Sequence, residues 1–244
     1  MKRLISFVIC IVALSMIIPQ EANAQKKKKE KKPFVWVLPE LTGNDSFDEY
    51  LLKCDTLNTR IHQYCDNITF YEVAEIHVID ENGEKEINYH VVDSLGNLRS
   101  SNKAFIQNLN LILAYPSLAS EMALMAACTA SATTALPSLG LKAMSYGKYL
   151  KAGPKIIEKG GVEMKKIYKK ARTQAKQIKA LKAGKIDDVK ALNAEINTSD
   201  MEAGTATMRV IEMQKTDYEA EFSKITKEDE ENPVAQDDIP EEEV

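Results

Sequence analysis

The sequence is poor in the residues that do covalent chemistry. It holds three histidines in 244 residues, and it contains no His-Glu-x-x-His pair, glycine-rich phosphate loop, Gly-x-Ser-x-Gly elbow or Cys-x-x-Cys motif. Those absences argue against the common zinc-hydrolase, P-loop, serine-hydrolase and dithiol-redox classes. No cofactor is expected and no nucleic-acid motif is present. Ten glycines and eight prolines are few for this length, which excludes low-complexity and collagen-like chains. Four cysteines do not make a disulfide-dense scaffold.

One long apolar run is present, and it lies at the N-terminus. Lys2 and Arg3 precede fifteen uncharged residues, Leu4 to Ile18. Pro19 then breaks the run, and Ala22-Asn23-Ala24 offers small residues to a signal peptidase. A membrane span needs about 20 apolar residues, so residues 1–24 are expected to be a cleaved signal peptide and the mature chain to begin at Gln25. Export follows: periplasmic, cell-surface or secreted. Losing Lys2, Arg3 and Glu21 takes the net charge from −4 to −5. The remaining length, about 220 residues, suffices for one domain with a real core.

Ala, Lys, Glu and Leu dominate, so the expected fold is α+β but mainly α. It would be a helical bundle around a buried, Ala-rich helix, with a small antiparallel β-hairpin or sheet beside it. The organisation reads as a basic arm over 25–33, a single domain over 34–226 and an acidic tail over 227–244. In the arm, Lys26 to Lys32 repel one another and bury nothing; they are a solvated spacer or a contact for polyanion or lipid. Phe34 to Leu38, between two prolines, suits an edge strand. Ser46-Phe47-Asp48-Glu49 has the form of a capping box, opening a helix over 46–66 whose stripe is Phe47, Tyr50, Leu51, Cys54, Leu57, Ile61, Tyr64 and Cys65.

Over 70–100 the period drops to two, and Asn82-Gly83 signals a tight hairpin. Pairing Glu81 with Glu84 puts Ala74, Ile76, Val78, Ile87, Tyr89 and Val91 on one face. Asp93 to Asn97 is a second turn, and Leu98 to Ser100 a short strand. Helices are expected over 103–150, 155–183, 186–197 and 200–226. The first is cut at Pro116 and Pro137, and Gly160-Gly161 is expected to separate helices further on. The last carries Met201, Met208, Ile211, Tyr218, Phe222 and Ile225 along one stripe. The nine acidic residues of 228–244 point to a disordered tail, which the lysine-rich stretch 155–190 would attract.

Three groups of residues are candidates for a site. In that register Glu75 faces His90 with His77 diagonal to it, so His77, His90 and Glu75 could share a metal ion. Cys54 and Cys65 lie too far apart along one helix to pair, so a disulfide would join Cys128 to Cys54 or Cys65. Between Ala104 and Leu141 the one charge is Glu121, and Ala119, Ala123, Ala127, Ser131 and Ala135 recur at every fourth position. Such a stripe lets another helix approach closely, and Ala123 and Ala127 are expected to be buried under one. The function expected is an exported, non-catalytic binding or structural protein of the cell envelope with an unknown envelope partner. The alternatives are a membrane-active protein inserting residues 104–141 and a metal-binding envelope protein.

Overall fold

The computed structural model describes residues 34–66, 68–69, 71–199 and 208–233, without the side chains of 197–199. Residues 1–24, expected to be a signal peptide, the expected basic arm over 25–33 and residues 234–244 of the expected acidic tail lie outside the described residues. Six helices are seen among the described residues: α1 Asp45–Asp66, α2 Ser101–Ala135, α3 Ala143–Tyr146, α4 Ala152–Lys182, α5 Ile186–Ser199 and α6 Lys215–Glu231. Three strands accompany them, β1 Glu72–Ile79, β2 Lys85–Val92 and β3 Val210–Gln214. The fold is α+β and mainly α.

Helix α1 buries Phe47 through Tyr64 of the stripe that its spacing predicts, while Cys65 at its end is only half-buried. Its cap is Asn44 rather than Ser46: the Asn44 side chain accepts the Phe47 amide at 3.1 Å. Asp48 reaches back over the turn, accepting from the Thr42 and Gly43 amides at 2.6 and 2.8 Å. Those bonds outweigh the effect of burial and lower the Asp48 pKa.

The hairpin register differs from the expected one by a single residue. Glu75 pairs with Tyr89 and Ala74 with His90. Asp80 accepts the Gly83 amide at 3.1 Å and donates its own to Glu84 at 3.0 Å, with Gly83 at φ 79°. That is a three-residue loop with a bulge glycine, not the two-residue turn that Asn-Gly suggests. Asp80 selects it, because its carboxylate takes both the Asn82 and the Glu84 amide at 2.8 Å. One extra loop residue turns every side chain of β2 over relative to β1.

The sheet has the order β2-β1-β3, and β3 runs parallel to β1. Residues 210–214, expected to be helical, are therefore a strand; the apolar residues Ile211 and Met213 alternate and pack with Ala74, Ile76, Val78, Val92, Leu98 and Ile225. Phe34 to Leu38 is not a strand. Leu98 makes an isolated bridge to Val92, with Gly96 at φ 94° in the turn before it.

Helices α1, α2 and α4 pack on one another, and α5 covers α4. Pro116 does not cut α2, which runs through it, although the proline offers no amide to the Ile112 carbonyl one turn earlier. Pro154 sits in the first turn of α4, where a missing amide is tolerated. Gly160 and Gly161 lie inside α4 rather than ending a helix. A Cβ on Gly160 would lie 2.7 Å from Ile61 Cγ2, and one on Gly153 would lie 3.0 Å from Met125. The close helix approach anticipated for the alanine stripe is made instead by the glycines of α4.

The acidic tail begins later than its composition suggests. Residues 227–231 continue α6, and Asp229 is tied to the start of α2. Its carboxylate accepts the Ser100 hydroxyl at 2.5 Å, the Ser101 hydroxyl at 3.0 Å and the Asn102 amide at 3.0 Å, while Glu228 pairs with Lys103. A carboxylate at a helix N-terminus is favoured by the exposed amides and the dipole.

Candidate functional site

The shifted register separates the three residues expected to share a metal. His77 and Glu75 stay on one face, 2.5 Å apart, and Tyr89 donates to Glu75 at 3.3 Å. His77 and Tyr89 both lower the Glu75 pKa. His90 emerges on the opposite face, where its Nε2 lies 2.8 Å from the Tyr218 hydroxyl and its ring packs edge-on against Phe222. Burial lowers its pKa. Among the described residues no group of three histidine, cysteine or carboxylate side chains is placed to hold a metal ion. His77 Nδ1 is buried without a partner; nothing in the fold accounts for it.

Cys54, Cys65 and Cys128 stand as free thiols in this structure, with no bond from Cys128 to Cys54 or Cys65. Cys54 packs its sulfur 3.9 Å from that of Met125, and Cys128, nearly one turn further along α2, receives the Lys53 ammonium at 3.4 Å. Burial pushes the Cys54 thiol up to about 11 and the Cys65 thiol up to about 12. A hollow of about 240 Å³ opens beside Cys128 between α1 and α2, and Glu121 closes one side of it by pairing with Arg60.

The alanine stripe is not covered. Ala123, Ala127 and Ser131 are exposed, while Ala119 and Ala135 are half-buried. The residues of this half of α2 that pack inward are Leu118, Met125 and Ala132. They form the neighbouring stripe, which faces inward with the larger Leu118 and Met125 among its side chains. An 18-residue stretch of α2 is apolar and long enough to cross a membrane, and only 22% of it is buried. Leu113 is 56% exposed and Leu124 65%.

The same apolar character continues into the connection between α2 and α4. It is built of single turns, Leu136–Lys142, α3 and Gly147–Lys151, with Gly140 at φ 58° reversing the chain. Leu141 is 96% exposed and Met144 92%. No family model matches the chain, nor does any curated protein or solved structure.

The connection is nonetheless firmly held. The Tyr50 hydroxyl, at the buried end of α1, donates to the carbonyl of Tyr149 or Leu150 at 3.0 and 3.1 Å and accepts the Gly153 amide at 3.0 Å. Tyr146 donates to the Glu40 carbonyl at 2.9 Å, and Asn44 donates to the Ser138 hydroxyl at 2.9 Å. Trp36 packs edge-on against Tyr149 and donates its indole N–H to Asp55. The side chains that protrude, Leu141 and Met144, thus stand on a pinned base. Sequence reasoning singled out the uncharged stretch but not these two. The signal was Gly140-Leu141-Lys142, an apolar residue set between a chain reversal and a charge, where no helical stripe could bury it.

Proposed function

We propose that this chain is an exported, non-catalytic binding or structural protein of the cell envelope that works by contact through the apolar surface of α2 and the connection 136–151. The observation that carries this reading is the set of exposed apolar side chains that no described residue covers, Leu113 and Leu124 along α2 and Leu141 and Met144 in the connection. Contiguous exposed apolar surface of this kind marks interaction sites in folded proteins. The signal peptide supplies the route to the envelope, and Lys26 to Lys32 add a contact for polyanion or lipid.

Insertion of the whole segment 104–141 is the less favoured reading. Ala104, Phe105, Leu111 and Ile112 are buried within the fold, so the first half of α2 would have to leave its partners to enter a bilayer. Only the second half and the connection are available as the protein stands.

Expression of the full chain followed by fractionation and N-terminal sequencing tests the proposal. The expected result is a mature chain starting at Gln25 and retained in the envelope, with Leu124→Glu plus Leu141→Glu releasing folded protein into the soluble fraction. Intact chain beginning at Met1 in the cytoplasm overturns it, as does unchanged retention of the double variant.

A further inference from the structure

We propose that the partner of this surface is the headgroup layer and upper acyl region of an anionic lipid membrane, entered by the connection 136–151, with Leu141 and Met144 as the inserted side chains. This rests on the reading that the uncovered apolar surface is the working surface, and it names what that surface meets.

The shape comes first. Leu141 and Met144 protrude, almost wholly exposed, three positions apart around a helical turn that follows the reversal at Gly140. A groove receives a peptide or a helix, whereas two apolar side chains on the outside of a bend enter a soft, planar phase. The charge agrees. Between Met122 and Ile157 the chain carries Lys142, Lys148, Lys151 and Lys155 and no acidic residue, although its net charge is −4 overall. Apolar tips ringed by lysine are the pattern of a segment lying in the plane of an anionic interface.

The lysines are suitably disposed. Lys148 lies over the Tyr149 ring, 4.9 Å from its centroid. Lys142 spends one donor on the Thr42 carbonyl at 3.3 Å, which leaves two for phosphate. Tyr146, Tyr149 and Trp36 cluster at the base of the tip, and tyrosine and tryptophan are the side chains that settle at headgroup depth. Acidic groups approach from the neighbouring segment, where Glu40 and Asp45 are exposed. A third, Asp48, accepts from Thr42 and Gly43 and lies close enough to Lys142 to feel its charge, which offsets part of that lysine.

A second copy of the chain is a poorer occupant. A two-fold contact through this tip would set the same lysines against one another. The mode is shallow rather than spanning. Glu121 is held in an ion pair with Arg60 on α1, and Leu118, Met125 and Ala132 keep the inner face of α2 on the bundle. Because Tyr50 already fixes the base of the connection, binding orders little that is not ordered beforehand.

Flotation with lipid vesicles tests this, using the mature chain, residues 25–244, with the six lysines of 26–32 changed to glutamine so that the arm cannot carry the binding. The expected result is capture by vesicles of phosphatidylglycerol and phosphatidylethanolamine, weak capture by phosphatidylcholine alone, loss of binding at high salt and no release of entrapped dye. Leu141→Glu with Met144→Glu should weaken binding at least about ten-fold, and Lys148→Gln and Lys151→Gln about five-fold each. Leu95→Glu, at an apolar residue 81% exposed in the turn after β2, should leave it unchanged. Circular dichroism should show every variant folded, since these residues are exposed. Absence of vesicle binding, equal binding by the double glutamate variant, or dye release overturns the proposal. If envelope retention in cells still depends on Leu141 while vesicles are ignored, the partner is a protein, and the functional reading stands without this one. Concentration-dependent dimers abolished by Leu141→Glu would identify a second copy and overturn it equally.

Discussion

Adjacent glycines in α4 offer a sharp test of how closely the helices approach. A methyl group on Gly160 would sit 2.7 Å from Cγ2 and 2.9 Å from Cδ1 of Ile61, whereas one on Gly161 would meet Met122 Sδ at an ordinary 3.4 Å. Ile61 is buried in α1, and its Cγ2 is fixed at a β-branched carbon that cannot swing aside. Gly160→Ala therefore overpacks the crossing, at about 1–3 kcal/mol, less the roughly 0.5–1 kcal/mol that alanine gains over glycine inside a helix. The net expectation is a loss centred on about 1 kcal/mol and reaching about 2.5 kcal/mol. Gly161→Ala keeps the propensity gain and should stabilise by about 0.5–1 kcal/mol. Urea unfolding followed by far-UV circular dichroism and by the fluorescence of Trp36 measures both. Ile61→Ala removes the clashing atoms, so Gly160→Ala should become neutral or favourable in that background, a coupling of about 1–3 kcal/mol. If Gly160→Ala is as stable as the wild type on its own, α1 and α4 do not meet there, and the helical layer is arranged differently.

Asp229→Asn should lower stability by about 1–2 kcal/mol, because it weakens the acceptor shared by Ser100, Ser101 and Asn102, while Glu230→Gln, on an exposed side chain, should change little in the same urea assay. Acid should destabilise the fold in two steps. Burial lowers the His90 pKa, so the stability from its neutral form is present above its unfolded value, roughly 6.5, and fades as pH falls below that. Burial alone would raise the Asp93 pKa, but hydrogen bonds from Asn97, Arg99 and Leu95 hold its carboxyl well below the usual range, and that contribution is lost as pH drops below roughly 4. His90→Phe should flatten the first step and Asp93→Asn the second, and unchanged profiles would refute the assignments. In the native mature protein a thiol reagent at mildly alkaline pH should modify Cys128 first. Cys54 and Cys65, with thiols pushed up to about 11 and about 12, should react only after denaturant is added; rapid loss of all three thiols would contradict their packing.

Local, repetitive signals were legible in the sequence alone. The stripe Phe47 to Tyr64 made α1, the alternating residues 72–79 and 85–92 made a hairpin, and the near absence of charge from 104 to 141 marked the segment that now carries the functional reading. Less legible were one local choice, made by the bonds between Asp80 and the Asn82 and Glu84 amides, and whatever depended on partners distant in the chain. Asp80 chose a three-residue loop over the two-residue turn, and that choice alone took His90 away from His77 and Glu75. Residues 210–214 carry a stripe that suits a helix, yet the open edge of β1 supplied backbone partners and drew them into the sheet. The alanine stripe and the stripe beside it were equally able to face inward. Tertiary packing decided for the stripe that holds Leu118 and Met125, whose larger side chains fill more space against the bundle, and so it left Ala123 and Ala127 facing outward.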